Sequence, residues 1–305
     1  MPILSASVVL CTCEGERFLP EQLASLRNQS RTALEVLAQD DASTDGTFEI
    51  LTADPAVKAF RNSARLGFAA NFASALAKAR GDVIFLCDQD DVWEKDKIDL
   101  LLKRFEENPR LNVVCSEASR IDDHGIPLPG LVLKGNGVEH GISFPLLVRR
   151  NPVPGMALAF RASLRERLLP IPPGWEHDYW ILLVASGLGE RISVEPRPLV
   201  RYRQHGGQVI GGAKSLSQRF SRARGGDIAL RAAEASRWTP LLDRLRGASP
   251  EVLALAEEKR AHLARRGAYP RSRLLRAAPI AAEFLRGGYS RYDAGLSSAI
   301  KDLLS

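Results

Sequence analysis

Residues 83–91 read Val83-Ile84-Phe85-Leu86-Cys87-Asp88-Gln89-Asp90-Asp91, an apolar strand that runs straight into three carboxylates. An unbroken apolar run of this length predicts a strand buried on both faces, as in parallel sheets. In such sheets ligands gather at the carboxyl ends of the strands. Alternation puts Asp88 and Asp90 on one side, where like charges repel and desolvation is costly. A shared cation resolves that conflict, and oxygen-only donors suit Mg2+ or Mn2+, ions that commonly bridge to a diphosphate. The same letters also fit a solvated acidic turn in which Asp91 caps a helix beginning near Glu94.

Outward from this stretch, short β-type runs alternate with helical patterns. Strands are expected at Ala6–Cys11, Leu34–Gln39, Lys58–Arg61, Asp82–Cys87 and Asn112–Cys115, and helices at Leu19–Asn28, Thr44–Leu51, Phe68–Ala79 and Lys95–Glu107. The rhythm predicts an α/β fold, a Rossmann-like, mostly parallel sheet flanked by helices. Polar residues collect just after its strands, at Thr12-Cys13-Glu14-Gly15 and at Asp40-Asp41-Ala42-Ser43-Thr44-Asp45-Gly46. The second loop also reads as a helix start, with Ser43 or Thr44 as N-cap and Asp45 at the positive end of the dipole. That leaves the Asp40-Asp41 pair, which suits hydrogen bonds from a ribose or a base N–H. Residues 120–212 are broken by ten prolines, and helical patterns return near 215–223, 226–245, 250–265, 272–286 and 292–304.

At 305 residues with 45% hydrophobic content and 4 Cys, the chain is neither disordered nor a small disulfide scaffold. Cys11, Cys13, Cys87 and Cys115 match no metal or redox spacing and read as buried thiols. No apolar run approaches the roughly 18 residues of a membrane span, and Met1-Pro2-Ile3-Leu4 lacks a basic leader, so a cytoplasmic protein is expected. The +6 net charge is unevenly spread: residues 211–305 hold 18 Lys+Arg against 9 Asp+Glu, leaving 24 bases and 27 acids before them. A slightly acidic body thus precedes a basic end.

The ordered motifs Val8-Val9-Leu10-Cys11-Thr12, Asp40 to Thr47, Asn62 with Gly67 and Asn71, and Gly81-Asp82 leading to Asp88-Gln89-Asp90-Asp91-Val92-Trp93 resemble those of the inverting family 2 glycosyltransferases. The resemblance covers residues 5–210, and the string Asp-Gln-Asp-Asp-Val-Trp is similar to the bacterial rhamnosyltransferase-like branch, which builds cell-surface polysaccharides. It implies a GT-A fold, with a catalytic domain over 1–212 and a basic α-helical region over 213–305. It also implies a nucleotide-sugar donor, with dTDP-rhamnose favoured over a UDP-sugar, and Mn2+ or Mg2+ as cofactor. By the same resemblance Thr12, Glu14 and Asp41 line the nucleoside pocket, Asp40 supports them, and Arg65 contacts the base or donor. Asp88 lies near the ribose and donor sugar, Asp90 is the principal metal ligand, Asp91 supports it, and Tyr202-Arg203-Gln204-His205-Gly206-Gly207-Gln208 resembles the family's loop that closes over the diphosphate, with His205 an additional metal or phosphate ligand. Glu176-His177-Asp178-Tyr179-Trp180 matches the family's later acidic motif and makes Asp178 the general base, removing the acceptor hydroxyl proton. Gly155, in Asn151-Pro152-Val153-Pro154-Gly155-Met156, and Trp180 stand on the acceptor side. Cys13 and Glu14 depart from the family pattern, where an aromatic residue and Asn are common.

The basic end includes Arg219, Arg222, Arg224, Arg265, Arg266, Arg271, Arg273, Arg276 and Arg286. Around Arg271–Ile280 bases mix with apolar residues. This suits either an amphipathic helix on an anionic leaflet, where a lipid-linked acceptor is presented, or a helical cap with a solvated basic face. The expected acceptor is a saccharide or a lipid-linked one, and the expected location is cytoplasmic or peripheral on the inner face of the cell membrane. Two rivals are weaker: a sugar-phosphate nucleotidyltransferase lacks its Gly-rich loop and Lys here, and a nucleic-acid-binding protein leaves the clustered Asp residues unexplained.

Overall fold

The computed structural model describes residues 3–138, 141–206 and 228–304. They fall into two compact units, Met1–Ile142 with Pro152–His205, and Ser143–Asn151 with Gly206–Ser305. The expected boundary at 212/213, the helix expected near 215–223, Gly207, Gln208, and Arg219, Arg222 and Arg224 lie outside the described residues.

In the first unit the order is β1 (Ala6–Thr12), α1 (Leu19–Arg27), β2 (Glu35–Asp40), α2 (Thr47–Ala53), β3 (Val57–Arg61), α3 (Phe68–Leu76), β4 (Val83–Asp88), β5 (Val92–Trp93), α4 (Lys97–Glu107), β6 (Leu111–Ile121) and β7 (Pro127–Leu131). After α5 (Phe144–Arg149), which belongs to the second unit, come β8 (Leu158–Arg161), α6 (Arg165–Leu168), α7 (His177–Gly187) and β9 (Arg191–Arg203). The sheet order is β3-β2-β1-β4-β8-β6-β9-β5, with β7 on β6. It is parallel from β3 to β4, as the alternating rhythm predicts, and mixed beyond, because β8 enters antiparallel between β4 and β6. Val8, Val9 and Leu10 of the central strand are 0% exposed, which is why β1 is apolar throughout rather than alternating.

Two local features fix β1 against its neighbours. A Cβ on Gly81 would come within 2.6 Å of the Ser7 backbone nitrogen, so only glycine allows the chain to enter β4 there. Ser7 Oγ accepts from the Gly81 N–H at 2.8 Å and donates to Glu35 Oε1 at 2.8 Å. Glu35 also accepts from the Arg80 backbone and guanidinium and from Lys58. Burial alone would push this carboxyl up, but the hydrogen bonds from Ser7, Arg80 and Lys58 hold it at about 2.

The second unit contains α5, α8 (Ile228–Arg244), α9 (Pro250–Gly267), α10 (Arg273–Leu285), α11 (Gly288–Tyr292) and α12 (Leu296–Leu304). Ser249 caps α9, accepting from the Val252 N–H at 3.4 Å, and Gly267 lets α9 approach α8 where a Cβ would meet the Ala232 nitrogen at 2.7 Å. The interior of this unit is unusually polar. His262 Nδ1 lies 2.6 Å from Glu283 Oε1, Arg266 donates twice to Asp302 at 2.6 and 2.7 Å, and Tyr289 donates to Asp302 at 2.7 Å.

The lowered Glu35 carboxyl yields a test. Its charged form contributes stability above its ordinary range near 4.5, and that contribution fades as pH falls toward 2. Glu35→Gln is expected to lose on the order of 3 kcal/mol at pH 7 by urea unfolding, with the deficit shrinking in acid. A deficit that stays constant down to pH 3 would assign the effect to packing instead.

Candidate active site

The carboxyl edge of the parallel strands sets the site. Register places Thr12 beside Asp40 and Cys11 beside Asp88, so the residues after β1, β2 and β4 share one level. Thr12 Oγ1 donates to Asp40 at 3.0 Å, and Asp40 also accepts from Ser43 N at 2.9 Å and Ser43 Oγ at 2.5 Å. Asp40 is 0% exposed, so it builds the loop and does not face a ligand. Asp41 accepts from Asn62 Nδ2, Leu66 N and Gly67 N, each at 2.8 Å, and thereby hangs the 62–67 loop beside the first one. That loop carries Arg65, which pairs with Glu14. Glu14 has φ of 51° and also accepts from Thr44 N at 3.1 Å and Thr44 Oγ1 at 3.0 Å, so Glu14, Thr44 and Arg65 form one polar rim.

The acidic segment is stitched to this rim by Gln89. Its Oε1 accepts from Cys13 N at 2.8 Å and its Nε2 donates to Cys13 O at 3.0 Å. The sequence reading quoted Gln89 without giving it a role; its place between two acids was the available signal. Asp90 Oδ2 lies 2.8 Å from His205 Nε2, and His205 packs against Phe18 with the rings tilted by 44° and their centroids 4.7 Å apart. Asp91 points the other way. It is 0% exposed, its Oδ1 accepts from the Arg203 N–H at 3.0 Å, and its Oδ2 has no partner among the described residues. Burial, Asp90 and Asp88 push its carboxyl well up. Asp91 therefore ties β9 to the acidic segment from inside, and it is neither a surface metal ligand nor the cap of the next helix, which starts at Lys97 behind Asp96.

Asp178 comes to the same place from the opposite side of the unit. It stands in the first turn of α7, 8% exposed, where the helix dipole favours an anion. Burial, then Asp90, then Asp178 push the Asp88 carboxyl up to about 7, while the Met156 N–H donates to it. The 3-10 turn Gly155–Ala157 fills the gap between them. A Cβ on Gly155 would lie 2.6 Å from His177 Nε2 and 3.6 Å from Asp178 Cβ, so Gly155 packs directly on the acidic helix. His177, which the sequence reading left without a role, stacks on Phe72 at 3.6 Å, and burial lowers it to about 3, keeping it neutral. Trp180 is a correction. It is 0% exposed, its Nε1 donates to Leu168 O at 2.8 Å, and it packs on Trp175, so it secures α7 from the core and offers no acceptor surface.

Beneath the acids lies Lys97, also missed from sequence. It is 0% exposed, donates to Met156 O at 2.5 Å and sits 3.7 Å from the Trp93 ring centroid. Burial lowers its ammonium to about 7, while Cys87, Asp91 and Asp88 pull it back up. The four cysteines carry free thiols, with Cys13 half-buried and the others buried. Among the described residues no three metal-ligating side chains cluster, and no helix is long and apolar enough to cross a membrane.

The mixed sheet, with a polar rim and an acid cluster at its carboxyl edge, has counterparts among solved structures. The chain is similar to Staphylococcus aureus TarS residues 1–349 in complex with UDP-GlcNAc, with a TM-score of 0.60 at 18% identity, covering 93% of this chain and 92% of that one. It is also similar to the mannosyltransferase PcManGT of Pyrobaculum calidifontis in complex with GDP-Man and Mn2+, with a TM-score of 0.58 at 18% identity, covering 95% and 81%. The fold is GT-A. Residues 7–167, just over half of the chain, match glycosyl transferase family 2. The chain belongs to that family, which places it among the glycosyltransferases. An uncharacterized glycosyltransferase of Haemophilus influenzae is 27% identical over 67% of this chain and 66% of its own length. Another, alr2836 of Nostoc sp., is 24% identical over 73% and 72%, so the chain spans about two thirds of these relatives.

Lys97→Met removes the cation beneath two crowded carboxyls. It also leaves the buried Met156 carbonyl without its donor, and a buried polar group left unpaired costs about 1–3 kcal/mol. The expected result is a loss of that size in urea unfolding at pH 7, and a variant as stable as the parent would show that Asp88 and Asp91 need no counter-charge.

Proposed function

We propose that this protein is an inverting hexosyltransferase that moves a sugar from a nucleoside-diphosphate donor to a saccharide or lipid-linked acceptor in cell-surface polysaccharide synthesis. The observation that carries the reading is the turn Gly155–Ala157, whose Met156 N–H donates to Asp88 while Gly155 packs on His177 and Asp178, so that the ends of β4 and α7 meet. Glu14, Arg65 and the loop held by Asp41 form the nucleoside end, and Asp88 adjoins the donor sugar. Asp178 takes the proton from the acceptor hydroxyl as that oxygen attacks the anomeric carbon opposite the diphosphate.

The residues fit a divalent cation. Asp90 and His205, an oxygen and an imidazole nitrogen 2.8 Å apart, would hold it, donors suited to Mn2+ and acceptable to Mg2+. Charge developing on the leaving diphosphate is offset there when the ion is bound. Resemblance of the Asp88–Trp93 string to the rhamnosyltransferase-like branch favours dTDP-rhamnose as donor, with a UDP-sugar as the competing choice. The basic second unit fits contact with the inner face of the cell membrane, where a lipid-linked acceptor resides.

Two measurements test this. Calorimetric titration with dTDP and UDP is expected to give binding that requires Mn2+ and is lost in Asp90→Ala; metal-independent binding, or binding undiminished in that variant, overturns the reading. Asp178→Asn is expected to lower kcat by about 10²–10⁴-fold while leaving donor affinity unchanged, as for loss of a general base. Equal loss of kcat and donor affinity would move Asp178 from catalysis to donor binding.

A further inference from the structure

The helices α10 and α12 are built inside out. They run antiparallel, with Arg276 near the start of α10 donating to Asp302 O at 2.7 Å near the end of α12, and Arg273 donating to Leu304 O at 2.8 Å. Their polar residues face inward: Arg276, Glu283, Ser298 and Asp302 are buried. Apart from Ile280, which is buried with Tyr269, Tyr289 and Ala299, their large apolar residues face outward. On α10, Leu274 is 90% and Leu285 86% exposed, eleven positions apart and so on one helical stripe, with Leu275 beside them at 67%. On α12, Leu296, Ile300 and Leu304 repeat every fourth residue and are 62%, 47% and 54% exposed. Isolated exposed leucines need no explanation, but exposed apolar stripes on two packed helices are more than scattered single residues, and apolar patches of this kind mark interaction surfaces.

The charges around that face identify its occupant. Within residues 271–304 every exposed charged side chain is basic: Arg271, Arg273, Arg286, Arg291 and Lys301. The acids of the same stretch, Glu283, Asp293 and Asp302, are turned into the unit, although Arg286 and Arg291 stand 3.7 and 3.9 Å from Glu283 and Glu258. A second copy of the chain would bring two such basic rims together, whereas a bilayer of anionic lipid offers hydrocarbon to the leucines and negative headgroups to the rim.

We infer that the α10/α12 face is a membrane-docking platform that inserts Leu274, Leu275, Leu285, Leu296, Ile300 and Leu304 at the surface of an anionic leaflet. This deepens the membrane part of the reading above, naming the surface, and does not depend on the donor, the metal or the base.

Vesicle flotation of the full chain tests it, with phosphatidylcholine alone and with phosphatidylcholine containing phosphatidylglycerol. Flotation is expected only with the anionic vesicles, and to fall as salt is raised. Leu274→Glu with Leu285→Glu is expected to abolish it, and Arg271→Gln with Arg286→Gln to weaken it by about thirtyfold, at roughly a fivefold share for each basic residue near the surface. Hydrolysis of nucleotide-sugar in solution should be unchanged in both double variants, so a failed platform is distinguishable from a failed transferase reading. The proposal is overturned if the chain does not float on anionic vesicles, if the leucine variant floats like the parent, or if sedimentation shows a dimer that the same leucine substitutions dissociate.

Discussion

The ammonium of Lys97, sealed beneath the end of β4, is the counter-charge on which the acidic strand end depends. Asp88, Asp90 and Asp91 follow a strand whose own side chains are excluded from water, and burial plus mutual repulsion push the first and last of them up. The cation lies within range of both and is itself held by the face of Trp93 and the carbonyl of Met156. Met156 uses both ends of its backbone. Its N–H donates to Asp88 and its carbonyl accepts from Lys97, so one residue fixes acid and base about a single short turn. Because that turn begins at Gly155, which packs on His177 and Asp178, the electrostatic arrangement under β4 also determines where α7 delivers its carboxylate.

Much of this was legible in the letters. The βαβ half was readable because strands buried on both faces are apolar without interruption, and loops at their carboxyl ends must then carry the polarity. The acid motifs could be picked out for the same reason. What escaped was whatever depended on contacts distant in sequence. Arg191–Arg203 forms one 13-residue strand despite Pro196 and Pro198, because the pairing with β6 shifts register around them; proline punctuation alone suggested short pieces. The antiparallel entry of β8 between β4 and β6 has no local signature at all. Asp91 and Trp180 sat in motifs that pointed to ligands, yet both turn inward, because neighbouring residues in a strand end or a helix necessarily face different surroundings. Nothing in the letters sets Lys97 apart from the other charges of its helix; its contact with Trp93 and its pull on Asp88 come from the fold.

Arg203 shows how the far end of the sheet is held to this centre. Its backbone N–H goes to Asp91, its Nε to Asp90 O at 2.8 Å, its Nη1 to Asp122 O at 3.2 Å, and its guanidinium pairs with Glu21 while lying 4.9 Å from the Phe18 ring centroid. A planar cation with several donors in a fixed fork suits this work, where lysine would satisfy one acceptor at a time. The consequence is positional: with Arg203 locked, His205 two residues later is set against Asp90, so the imidazole reaches the acid through the end of β9 and not through a free loop.

The two units distribute polarity in opposite ways, and this constrains the second more than its composition does. In the first, apolar strands fill the interior and the acid cluster gathers at the end of β4, where Lys97 and Arg203 meet it. In the second, His262, Arg266, Glu283 and Asp302 occupy the centre. Buried ionic networks return little net stability, since desolvation consumes most of the attraction, but each polar atom must find its partner, so they specify one arrangement of helices sharply. With those charges turned inward, the outer side of the same helices carries leucines and Ile300 among basic side chains. The outward stripes on α10 and α12 are thus the geometric counterpart of the buried ion network, and they form the surface assigned above to an anionic bilayer.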